Sequence, residues 1–481
     1  MQILKFPENF LWGGATWAPG CEGARDIDKK SPDVWDTWFK NNPEKFYEQT
    51  GPNDTIDMYH RYKEYVQLLK KMHMNSFRFS ISWARFMPNG TGEVNQHAVK
   101  YYGDLIKELK NNGIEPILCL WHFDLPQCMQ DIGGWINREV VNHFVNYSKQ
   151  VLKYFGNEVK YVVVHNEVGV LPQGGYLYDF QPPNVIDFKQ SIQCGYNLLL
   201  GQAMVINHYH ECKYPGEIGT VLNPNPVYPK SDNPEDIEAA RFLDMIRERF
   251  YLDVSVRGKL PADYLEFCEK YNLTPEMHEE DSVIFENGIV DILGVNYYQP
   301  CRVQAPIEGF KPKWYPENDK QDTSSKTASE GQLMPENFYS IYDMPGKRMN
   351  FSRGWEIYPK GLYDTLMRLK NEYGNIKCFI GENGMGVENE EQFLDKNGIV
   401  QDDYRIEFYE EHLEWLHKAI EDGSNCIGYN VWAPFDVWSP LNAFKNRYGF
   451  YRYNRNDKTM AIKKSGKWAS ELFKTNELNL K

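Results

Sequence analysis

The chain has 481 residues, 42% hydrophobic and 25% charged, with a formal net charge of −14. That composition excludes a disordered chain, and the acidic excess argues against nucleic acid or an anionic membrane as partner. No run of about 18 apolar residues could cross a bilayer, the opening MQILKFPENF lacks a basic-then-apolar leader, and the nine cysteines show neither C-x-x-C pairs nor metal-ligand spacing. A cytoplasmic protein with reduced thiols and no metal is the expectation.

Along the chain, short β-rich apolar runs alternate with longer amphipathic stretches, the pattern of a parallel α/β fold. The strands are expected at 10–16, 75–82, 115–123 and 160–167, then at 217–223, 291–298, 377–384 and 426–436. Helical periodicity fills 59–73, 98–113, 138–156 and 402–423. Eight strands is the count of a (β/α)8 TIM barrel, which can exceed 400 residues as one unit. No Gly- or Pro-rich linker divides the chain, so residues 1–481 read as a single barrel domain with long βα loops. The polar segment from about 301 to 352 shows no strand pattern and reads as a long loop after the sixth strand.

Two of these strands end in a carboxylate beside an asparagine: Asn166-Glu167 on the fourth and Glu382-Asn383 on the seventh. Strand C-termini in a barrel face the active site. Burying a carboxylate there without partners is costly, so two such ends point to chemistry rather than packing. Glycoside hydrolysis needs two carboxyl groups: one protonates the leaving oxygen, and the other attacks the anomeric carbon or activates water.

Further motifs carry a resemblance. FLWGGAT (10–16), CEG (21–23), FRFSISWARFMPNGTGEVN (77–95), WHFDLP (121–126) and GGW (133–135) come first. VHNE (164–167), VNYY (295–298), GWEIYPKGL (354–362) and IGENG (380–384) follow in the same order. The chain resembles glycoside hydrolase family 1 nearly end to end. The resemblance implies a retaining β-glycosidase with Glu382 as nucleophile and Glu167 as acid/base. It further implies Arg78 and Tyr298 beside the nucleophile, Asn166 on the sugar 2-hydroxyl, and His122 and Trp432 in the glycone pocket, with Trp355 on the leaving-group side. The two carboxylates would supply acid, base and nucleophile, so no cofactor is expected.

The loop after the eighth strand, WAPFDVWSPLNAFKNRYGFY (432–451), bears on the substrate. It places Ser439 where ordinary β-glucosidases of the family carry a Glu that binds the 4- and 6-hydroxyls. A carboxylate there would repel a 6-phosphate, whereas a serine donates a hydrogen bond. This exchange is similar to that of bacterial 6-phospho-β-glucosidases, which implies phosphate contacts from Ser439, Tyr448 and a lysine. The usual lysine slot holds Asn446, and Lys445 precedes it as the expected cation. Gly20 and Pro440 replace a Gln and a Trp that read the 3- and 4-hydroxyls in the family, so one wall of the sugar site is expected to be open. The expected partner is a small β-glycoside carrying a 6-phosphate. A β-glucosidase or β-galactosidase acting on unphosphorylated sugar is the alternative, and a degenerate sugar-binding protein the reading from another class. The oligomeric state, a homodimer included, stays open.

Overall fold

The computed structural model describes residues 2–178, 180–308 and 334–480. The eight expected strands all form: β1 (Leu11–Ala15), β2 (Ser76–Ser80), β3 (Glu115–Trp121), β4 (Tyr161–Asn166), β5 (Glu217–Leu222), β6 (Ile292–Asn296), β7 (Cys378–Asn383) and β8 (Cys426–Val431). They close in sequence order into one parallel barrel, β8 pairing with β1. Both faces of each strand are covered, which is why they read as apolar runs rather than alternating ones. Inside the barrel, Ile117, Cys119, Tyr161, Val163, Val221, Ile292 and Phe379 form their own cluster, separate from the core under the helices. That plug fills the lumen below the level of the site.

Helices α1 (Met58–Lys71), α2 (Gln96–Asn111), α3 (Arg138–Phe155), α4 (Phe188–Glu211), α5 (Pro234–Asp244), α6 (Lys360–Glu372), α7 (Asp403–Glu421) and α8 (Lys464–Thr475) belong to the surrounding layer. In α3 the buried Val140, Val141, Phe144, Tyr147, Val151 and Phe155 recur every three or four residues, and Asn137 caps its start by accepting from the Glu139 N–H at 2.9 Å. Gln2–Lys5 pairs antiparallel with Glu477–Leu480 outside the barrel.

The reading of 301–352 as a plain loop needs correction. Cys301–Gln304 is a strand, parallel to Val227–Pro229 and antiparallel to Ser340–Ile341, and Met349–Asn350 pairs with Trp355–Glu356. These strands are too short and too unevenly buried to show a period of two. The middle of that segment, 309–333, lies outside the described residues.

Candidate active site

The two strand-end carboxylates meet at the mouth of the barrel. Glu167 and Glu382 line one cavity of about 180 Å³ with His122, Tyr298, Trp355, Trp432, Ser439 and Tyr448. A larger cleft of about 620 Å³ lies outside the barrel wall, against the outward faces of Leu222, Leu293 and Val295, and neither carboxylate reaches it.

Glu382 is held from two sides. The Arg78 guanidinium pairs with Oε1, and the Tyr298 hydroxyl donates to Oε2 at 2.7 Å. Arg78 stands on β2 above Ser76, so its side chain enters the lumen beside β7. Glu167 follows β4 at φ +53°, a left-handed turn that redirects the chain as it leaves the strand. Its Oε1 accepts from Asn296 Nδ2 at 2.8 Å. The Asn296 amide also bears on Glu382, so one side chain serves both carboxylates.

These surroundings separate the two groups. Burial first, then the nearby Glu382, push Glu167 up to about 8, against the weaker pull of Asn296 and Arg78. Burial also raises Glu382 above the usual carboxylate range, but the Arg78 charge and the Tyr298 hydrogen bond oppose it. A single proton shared by the pair therefore rests on Glu167, which has no cation in contact among the described residues, and leaves Glu382 ionised.

Asn166 is fixed by three contacts. Its Oδ1 accepts from Arg78 Nη1 at 2.5 Å and from Asn296 Nδ2 at 3.2 Å, while its Nδ2 donates to His122 Nε2 at 2.9 Å. Burial and the Arg78 charge lower the His122 pKa well below normal, so the ring is neutral. Accepting at Nε2 leaves its proton on Nδ1, which is buried without a partner among the described residues. A neutral carboxyl group, an ionised one and an unsatisfied donor around one cavity suit attack on an acetal carbon with proton delivery to its departing oxygen.

The model for "Glycosyl hydrolase family 1" matches residues 2–478. The chain belongs to glycosyl hydrolase family 1. It is 46% identical to "6-phospho-beta-glucosidase GmuD" of Bacillus subtilis (strain 168), covering 97% of both chains. It is 34% identical to "Beta-glucosidase A" of Acetivibrio thermocellus, over 99% of this chain and 100% of that one. Among solved structures, the family 1 β-glucosidase from Thermotoga maritima superposes with a TM-score of 0.87 at 30% identity, covering 100% of each chain.

Most residues named from the family 1 motifs gather at this cavity; Lys445 does not. Its Nζ lies 3.4 Å from Glu388 Oε1 and over the Tyr47 ring, and it does not line the cavity. Asn446, in the usual lysine slot, is 3% exposed, with both amide atoms unpartnered among the described residues.

The open wall expected from Gly20 and Pro440 is closed. A Cβ on Gly20 would fall 1.9 Å from Trp17 Nε1 and 2.5 Å from the Trp438 carbonyl oxygen. The Trp17 indole thus fills the space beside Gly20, donates to the Trp438 carbonyl at 3.3 Å and lines the cavity with Pro440. The wall is a flat ring whose N–H is engaged, closed but poor in donors. Gly20→Gln alone is expected to displace Trp17 and lower kcat/KM at least tenfold, about 1.4 kcal/mol in barrier. With Trp17→Ala added the loss should shrink, which comparison of the single and double variants checks.

The loop after β8 is anchored at both ends by Asp436. Its Oδ1 accepts from the Gly449 N–H at 2.9 Å and from Lys463 Nζ at 3.0 Å, and its Oδ2 accepts from the Tyr453 N–H at 3.2 Å. Lys463 also pairs with Glu390, which in turn pairs with Arg405, all four side chains being fully buried. Trp17, Asn296 and Arg353, another residue of the cavity wall, were missed by the motif reading. Only Asn296 carried a signal, two positions before Tyr298 in the VNYY run.

Proposed function

We propose that the protein is a retaining 6-phospho-β-glucosidase, with Glu382 as nucleophile and Glu167 as acid/base. The observation that carries the retaining mechanism is the shared Asn296 amide. Two carboxyl groups served by one side chain are close neighbours, and double displacement uses a separation of ~5–5.5 Å. Glu382 attacks the anomeric carbon while Glu167 gives its proton to the departing oxygen, forming a glycosyl ester on Glu382. Esterification removes the Glu382 charge, which adds to burial in raising the Glu167 pKa, so that pKa falls and Glu167 becomes the base that takes a proton from the attacking water. Asn166 and the Nδ1–H of His122 hold sugar hydroxyls, Tyr298 and Arg78 keep the nucleophile charged, and Trp432 and Trp355 offer ring faces to the sugar and the leaving group.

The phosphorylated substrate is supported by Ser439 and Tyr448 on the cavity wall and by the likeness to GmuD. Kinetics on nitrophenyl β-glucoside with and without a 6-phosphate test the reading, and equal or better turnover of the unphosphorylated sugar would sink it. Ser439→Glu is expected to cut activity on the phosphorylated substrate by roughly a hundredfold, or ~3 kcal/mol, because it sets like charges in contact. A variant indistinguishable from the parent would instead favour the plain β-glucosidase.

A further inference from the structure

Arg353 lines the same cavity as Glu167, Glu382, Ser439 and Tyr448, yet it is only 2% exposed. Its Nε and Nη1 are buried without a hydrogen-bond partner, and no carboxylate pairs with it among the described residues. Its guanidinium lies 4.2 Å from the centroid of the Trp355 ring. Stacking on an indole relieves part of the penalty of a buried cation but satisfies no N–H group. Neither cavity carboxylate answers it: Glu382 is held by Arg78 and Tyr298, and Glu167 by Asn296. Among the described residues no anion answers the Arg353 charge.

The hairpin carrying Arg353 also fixes where that anion would sit. Asn350 Nδ2 donates to the Gly386 carbonyl at 3.0 Å, and the Glu388 N–H donates to Ser352 Oγ at 3.2 Å. Val387–Glu388 pairs antiparallel with Asn446–Arg447, the residues just before Tyr448. Gly386 lies so close to the Tyr448 ring that a Cβ there would come within 2.5 Å of it. Arg353 is thus fastened to the loop that brings Ser439 and Tyr448 to the cavity.

We propose that Arg353 supplies the positive charge that receives the 6-phosphate of the substrate sugar, doing the work of the lysine replaced by Asn446. This rests on the 6-phospho-β-glucosidase reading above. A planar guanidinium meets two phosphate oxygens with parallel N–H groups, and Ser439 and Tyr448 line the same cavity. Among the described residues the Ser439 hydroxyl makes a long contact, 3.5 Å to the Ala443 carbonyl, and can turn towards a phosphate oxygen. Lys445, paired with Glu388, is not needed.

The test compares kcat/KM on p-nitrophenyl β-glucoside 6-phosphate and on the same glucoside without phosphate, for the parent, Arg353→Met, Arg353→Lys and Lys445→Met. The ratio of the two values is expected to fall about a hundredfold in Arg353→Met and about tenfold in Arg353→Lys, which keeps the charge but loses the fork. It should change less than threefold in Lys445→Met. Calorimetric affinity for glucose 6-phosphate should follow the same order, with melting temperatures confirming folding. If Arg353→Met does not fold, Arg353→Lys decides. An unchanged ratio in the Arg353 variants, with the parent still preferring the phosphate, overturns the role of Arg353 alone. Equal losses on both substrates overturn it in favour of contact with the shared nitrophenyl group. A parent indifferent to the phosphate overturns this role and the phosphoglucosidase reading together.

Discussion

Glu382→Ala is expected to lower kcat roughly 100,000-fold, or ~7 kcal/mol in barrier, and added azide is expected to restore turnover. Removing the carboxylate opens a space on the face of the sugar opposite the leaving group. A small anion entering it does the work of the nucleophile once, and the product is a glycosyl azide of inverted configuration. The Arg78 guanidinium, 0% exposed and paired with Glu382, favours an anion in that space. Because the same variant leaves Arg78 without its carboxylate, Glu382→Gln is the companion that keeps the site filled. Proton NMR of the azide product reads its anomeric configuration. Inverted azide arising from Glu167→Ala instead would exchange the two roles.

The second large effect belongs to Glu167. In the proposed mechanism its acid form is the reactive one, and burial beside Glu382 holds its pKa near 8. Activity should therefore stay high through neutrality and fall as pH rises through about 8, an alkaline limb that Glu167→Ala should abolish. On substrates with poor leaving groups that variant is expected to lose ~10²–10⁴ in rate, with a smaller loss in the first step for an activated aryl leaving group. Stability follows the same proton. The folded state holds it up to about 8, whereas the free side chain releases it near 4.5, so the stabilisation is complete at low pH and lost progressively across that interval. Glu167→Gln should accordingly unfold at higher temperature than the parent above pH 8. A pH profile unchanged in Glu167→Ala would remove it from the acid/base role.

The barrel was legible because each strand is covered on both faces, so EPILCLW or YVVVHN reads as an apolar block bounded by polar helices. The carboxylates were legible because a Glu at the end of such a block conflicts with its surroundings. Helix α4 gave little period, since Ile192, Tyr196, Leu199 and Ala203 on one side and Leu198, Val205 and Tyr209 on others are all buried. Trp17 was invisible for a different reason. The replacement of a Gln by Gly20 shows in the sequence, but that an indole three residues earlier folds back over it is a matter of backbone path. Lys445 failed similarly: its charge was plain, but nothing in the chain order revealed that Glu388 would take it. Arg353 was hidden because its neighbours, Gly386 and the stretch before Tyr448, are distant in sequence and joined only by short strand pairs.

The grip of Asp436 on both ends of the loop after β8 has an evolutionary consequence. One carboxylate, itself fixed by a fully buried lysine, ties Asp436 to Gly449 at the base of the loop. The half-buried positions Ser439 and Pro440 can then change without loosening the barrel beneath, whereas Trp438, fully buried and stacked on Trp17 and Phe46, has to stay. A change of sugar preference then needs no new scaffold, and exchanges confined to Ser439 and Pro440 should leave the melting temperature close to that of the parent.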